Sequence, residues 1–196
     1  MGKNIKKGGN CMKKFEMYHA SYDSFENFDE KFITLSETDT FTNGFWFSSE
    51  KTTSCAWRNP RFLKKCIITL SNPIEYREMK KIYVEEYQEK ITCDEFRREM
   101  LNRGYDGVVF SEPIDITMEK IVEGTVFETL RGSKRKFIIG EFGGIEEHSV
   151  DKWGNEEYLA DYIDIEDYKK SVETVVICFN ASPIEILWEK NNPYWG

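Results

Sequence analysis

Apolar and polar positions alternate along this chain in short segments separated by Gly, Pro and Asn, a pattern of strands interrupted by helices. Phe15 to Ala20 reads as a first strand, and Phe32 to Leu35 as a short extended piece after an aromatic, acidic turn. Phe45 to Ser48 reads as a buried strand. From Ser49 to Trp57 small and polar residues predict a helix capped by Ser48 or Ser49, ended by Asn59-Pro60. Arg61 to Ser71 alternates into Cys66-Ile67-Ile68-Thr69-Leu70, a strand that Asn72-Pro73 terminates.

Helices are predicted at about Tyr76 to Glu89 and at Thr92 to Arg103. In the second, Thr92-x-x-Glu95 offers a capping box and Gly104 a stop. Gly104-Tyr105-Asp106-Gly107-Val108-Val109-Phe110 is a turn feeding a buried strand. The stretch from Ser111 to Ser171 is rich in Glu and Asp. Phe137 to Phe142 reads there as an inserted strand, Gly143-Gly144 as a turn, and Asn155 to Tyr168 as an acidic, tyrosine-rich helix or loop.

A chain of 196 residues, 40% hydrophobic and 15% aromatic, has enough apolar material for one domain with a substantial core. The expected layout is a flexible tail over residues 1–14, a domain over 15–190 with an insertion at about 111–171, and a tail over 191–196. A net charge of -8 argues against general affinity for nucleic acid or anionic membrane, which depend on Lys and Arg. The basic stretch Arg131 to Lys136 keeps a local nucleic-acid contact open. The 5 cysteines have no C-x-x-C pair and no zinc-like spacing, so a reducing cytoplasm is expected and no metal. No run long and apolar enough for a membrane span or a signal peptide is present.

Candidate chemistry gathers in two stretches. The first is Met17-Tyr18-His19-Ala20-Ser21; the second runs from Gly44-Phe45-Trp46-Phe47-Ser48-Ser49 to Ser54-x-x-Trp57. Together they resemble the His-Tyr-Glu class of ADP-ribosyltransferases, which includes the poly(ADP-ribose) polymerases and diphtheria-like toxins. The helix followed by Gly104-Tyr105-Asp106-Gly107, the Cys66 to Pro73 turn and the strand from Val175 to Ile184 are similar to members found on phages and in mobile-element polyvalent proteins. The resemblance implies an α+β fold of ADP-ribosyltransferase-like split antiparallel β-sheets with flanking helices. It also implies NAD as substrate.

A nicotinamide site needs flat aromatic walls, a small hydroxyl for the amide and a polar group for the ribose. The resemblance assigns His19 to the ribose, Ser54 and the Ala20 backbone to the carboxamide, and Trp46 and Trp57 to the ring, with Phe47 and Ser48 completing the second motif. Trp46 stands where the class carries tyrosine. Arg58 and Arg61 would steer the pyrophosphate or form a solvated helix end. His148 is read as a surface residue.

Cleavage of the glycosidic C–N bond passes through an oxocarbenium-like state that a carboxylate stabilises. Counting along the last strand puts Val175 at the position the class fills with glutamate. Glu173, two residues earlier on the same strand face, is the candidate carboxylate, and Glu141 from the insertion is the alternative. Loss of the usual glutamate argues against polymer synthesis. The resulting expectation is a mono-ADP-ribosyltransferase acting on a macromolecule, protein before nucleic acid, as a phage or mobile-element effector. A catalytically inert NAD-binding or protein-interaction module and an NAD glycohydrolase are the alternatives. The insertion would shape target recognition or decorate one sheet edge.

Overall fold

Strand β1 (Lys13–Ser21) alternates Phe15, Met17 and His19 on one face with Glu16, Tyr18 and Ala20 on the other, and this alternation fixes how it pairs. It lies antiparallel to β3 (Phe62–Leu70) along its whole length, with Phe15 opposite Ile68, Met17 opposite Cys66 and His19 opposite Lys64. Its other neighbour is β2 (Phe45–Ser48), joined antiparallel through Tyr18 and Ser48. These relationships come from a computed structural model, which describes residues 12–35, 43–51, 60–88, 90–112, 116–128 and 133–192.

Seven strands form the larger sheet, in the order β11-β3-β1-β2-β10-β5-β4. The remaining members are β4 (Pro73–Glu75), β5 (Gly107–Glu112), β10 (Glu173–Cys178) and β11 (Ile184–Asn191). β4 and β5 run parallel, which departs from the expected all-antiparallel arrangement. Two helices, α1 (Tyr76–Tyr87) and α2 (Cys93–Asn102), supply the crossover that a parallel pair requires. The capping box at α2 is present: Thr92 accepts from the Glu95 amide while Glu95 accepts from the Thr92 amide. Gly104 ends that segment at φ +87°, a left-handed conformation that glycine adopts without strain.

The chain divides into two compact units, Met1–Val109 with Val176–Gly196, and Phe110–Val175. The first has a core of Met17, Phe45, Phe47, Cys66, Ile68 and Cys178, with further apolar residues packed around them. Each Met, Phe or Ile side chain there contributes about 1.5–3 kcal/mol when fully buried. Burial pushes the Cys66 thiol up to about 12 and raises Cys178 as well, so both act as small core residues.

The second unit holds a four-stranded antiparallel meander, β6 (Val126–Glu128), β7 (Lys134–Ile139), β8 (Ile145–Val150) and β9 (Glu156–Tyr162). Helices α3 (Met118–Val122) and α4 (Ile165–Ser171) belong to it. Phe127, Phe137, Ile145 and Tyr168 form its core. Buried Glu147 is compensated by the Tyr162 hydroxyl at 2.9 Å and by Arg135 at 3.1 Å.

Three local expectations are corrected. Residues 30–35 form a 3-10 helix, because the Asp29 carboxylate accepts from the Lys31 amide and the Asp29 carbonyl from Phe32. β7 ends at Ile139, which leaves Glu141 and Phe142 in the turn to β8. The stretch from Asn155 is a strand before it is a helix, since Glu156–Tyr162 pairs along β8. Among the described residues no helix is long and apolar enough to cross a membrane.

Candidate functional site

The inward face of β3 and its neighbours is apolar for most of its length and changes character at one end. Ile68 sits between Phe15 and Ile184, and Cys66 between Met17 and Ile186. The next row on the same face is His19–Lys64–Glu189. A β-bulge at Leu187 makes this row possible. The extra residue shifts the register of β11, so that Glu189 falls opposite Lys64 on the core side.

Above this polar end lies a cavity of about 400 Å³, within the range that holds small ligands. Its walls come from the end of β1, the loop Tyr22–Asp29, the 3-10 helix and the start of β2. Phe25, Phe28, Phe32 and Phe45 give it flat apolar surfaces, Trp46 borders it, and His19 supplies a polar group. The rings pack edge to face: His19 to Phe28 with centroids 5.0 Å apart, Phe28 to Phe45 at 4.9 Å, and Phe25 to Phe28 at 5.0 Å.

His19 Nδ1 lies 2.8 Å from the Trp46 carbonyl oxygen. A carbonyl only accepts, so Nδ1 carries the proton and the neutral ring presents Nε2 as an acceptor. Burial drives the imidazole down from 6.5 to about 4; the Trp46 carbonyl opposes this and the charge of Lys64 adds to it. His19 is therefore neutral at physiological pH, suited to accept a hydrogen bond from a hydroxyl.

The structure brings together His19, Trp46 and Phe47, whose ring is 5.4 Å from the imidazole. Ala20, paired with Leu63, occupies the opposite face of β1 from His19. Ser48 is buried, and its hydroxyl accepts from the Glu50 amide at 2.8 Å where β2 ends. Ser54, Trp57 and Arg58 lie outside the described residues, as does the predicted helix beyond Lys51. Glu173 is the buried first residue of β10, and Val175 is buried two positions on. Glu141 is exposed on its turn. Neither carboxylate is among the residues lining the cavity. His148 sits on β8, 3.2 Å from Glu146.

Sequence reasoning passed over four residues that shape the site: Phe25, Phe28, Lys64 and Glu189. A signal existed for Lys64, because alternation with Cys66, Ile68 and Leu70 turns it inward. No comparable signal marked Glu189, whose orientation depends on the bulge. Among the described residues no group of three or more His, Cys, Asp or Glu gathers to hold a metal ion.

The chain has no significant match among protein-family models, curated proteins or solved structures.

Proposed function

We propose that this protein is a mono-ADP-ribosyltransferase that takes NAD as substrate and modifies a macromolecule, with protein as the favoured target. One observation carries the reading: a neutral histidine, its Nδ1–H held by the Trp46 carbonyl and its Nε2 left as an acceptor, lines an aromatic-walled cavity. Such a site suits a nucleoside in which a flat ring stacks while a ribose hydroxyl donates to Nε2. In the reaction the C–N bond to nicotinamide breaks with its electron pair leaving on the ring nitrogen. The acceptor atom then bonds to the ribose carbon and releases its proton.

A carboxylate near the ribose would stabilise the cationic transition state. Glu173 is the first candidate for that role and exposed Glu141 the second. Buried Val175, at the position the resemblance reserves for glutamate, favours a second reading: an inert NAD-binding or protein-interaction module.

Incubation of the protein with labelled NAD in cell extract, with His19→Ala as control, separates these readings. Label on a discrete protein band that disappears in the variant supports transfer. Nicotinamide release without labelled protein indicates hydrolysis, and NAD binding without turnover indicates the inert module.

A further inference from the structure

We propose that Lys64 and Glu189 are positioning residues for the cavity: their ion pair, in which the Lys64 side chain is fully buried, pins the Ser21–Phe25 segment that forms one of its walls. Lys64 has no exposed side-chain surface. An ammonium withdrawn from water costs several kcal/mol unless every donor is satisfied. Here its three donors meet three acceptors: the Glu189 carboxylate, the Ser21 hydroxyl at 2.9 Å and the Asp23 carbonyl at 3.5 Å. The Phe25 ring faces the same nitrogen at 3.7 Å, a cation–π contact.

Glu189 repeats the pattern from the other side. One carboxylate oxygen accepts from the Ser24 hydroxyl at 2.5 Å; the second accepts from the Phe25 amide at 3.3 Å and from Lys64. Burial raises the Glu189 carboxyl, but the hydrogen bonds from Lys64 and Ser24 outweigh this and hold it below the usual carboxylate range. Apart from each other, the partners of both charges named here belong to Ser21–Phe25, and all five residues of that segment line the cavity. The segment past Ser21 is neither helix nor strand, so the sheet shapes it through these side chains. A wall held in place before any ligand arrives spares the ligand the cost of ordering it.

The effect on NAD rests on the function proposed above; the effect on the wall does not. The test uses the full chain with Lys64→Met, Glu189→Leu and the double variant, reading thermal stability, amide hydrogen exchange over 21–28, and NAD affinity. Each single variant loses stability, Glu189→Leu the more because it leaves the buried Lys64 ammonium alone. The double variant regains it, because an apolar pair of similar volume replaces the ion pair at little cost. Amides of 21–28 in the double variant nonetheless exchange about tenfold faster than in the wild type, and NAD binds about tenfold more weakly. Wild-type exchange in a stable double variant overturns the proposal, since the pair then only fills the core. If the double variant does not fold, Ser24→Ala decides: it removes one exposed anchor, and unchanged exchange over 21–28 overturns the proposal equally. A wild-type protein that binds no NAD refutes the proposed function and leaves the exchange result to judge the wall.

Discussion

His19 and Trp46, 27 positions apart in the chain, are joined by a 2.8 Å hydrogen bond from the imidazole Nδ1–H to the Trp46 carbonyl. This bond links the two stretches that the sequence singles out. It acts through the backbone of Trp46, whose peptide group sets the tautomer of its neighbour.

Replacing His19 with Ala removes the acceptor together with its ring contacts to Phe28 and Phe47. NAD-dependent turnover should fall by about 10²-fold or more, with circular dichroism unchanged. Full activity in this variant would rule out the ribose contact.

The protonation state of His19 gives a pH signature. Its value in the fold, about 4, lies below the ordinary 6.5, so the unfolded chain binds more protons between those limits. The stability contributed by the neutral ring is complete above pH 6.5 and is lost as pH falls towards 4. Urea unfolding of wild type and His19→Gln across pH 4 to 7 should show the wild type losing stability more steeply on acidification. Parallel curves would mean that His19 titrates normally.

Glu173→Gln keeps the shape of the buried side chain and removes its charge. Under the proposed function, NAD affinity stays within about twofold while turnover drops by about 10²-fold or more. An unaffected rate transfers the role to Glu141, to be tested by Glu141→Gln.

Gly44 is required by packing. A Cβ there would lie 2.4 Å from the Ile177 side chain and 2.7 Å from the Cys178 carbonyl oxygen. Gly44→Ala should therefore cost about 1–3 kcal/mol in chemical denaturation.

Asp106 is a clasp. Its carboxylate accepts from the Ser71 amide at 2.5 Å, the Ser71 hydroxyl at 2.8 Å and the Asn72 amide at 3.1 Å. Its carbonyl accepts from the Phe179 amide at 3.1 Å. Gly107 follows because a Cβ would meet the Ile177 carbonyl at 2.6 Å. Asp106→Ala should lower stability by about 2–3 kcal/mol in chemical denaturation, with NAD affinity unchanged.

These two motifs show what the sequence discloses and what it withholds. β2 was legible to the residue because Phe45 and Phe47 are buried in a short run with a clear boundary. The α2 cap was legible because Thr92 and Glu95 satisfy each other locally. The 3-10 helix at 30–35 was not, because it depends on the preceding Asp29 turn and on Ile33 reaching the core. β9 was missed because its side chains are mostly exposed, and its strand character comes from pairing with β8 rather than from its own pattern. At the candidate site, His19 and Trp46 were legible, whereas the Phe25 and Phe28 walls sit on a loop without periodicity. Glu189 depended on one inserted residue in β11.

The order β2-β10-β5 also bears on how the chain reaches its fold. β5 ends at Glu112 and β2 at Ser48, whereas β10 begins only at Glu173, so in synthesis β2 and β5 emerge long before their shared partner. Until Glu173–Cys178 arrives, the sheet has a gap at its middle, with two open edges carrying Phe45, Phe47 and Val108. Joining strands so distant in sequence makes closure of the larger sheet a late event, and a chain cut before Glu173 would keep both edges unpaired and prone to association.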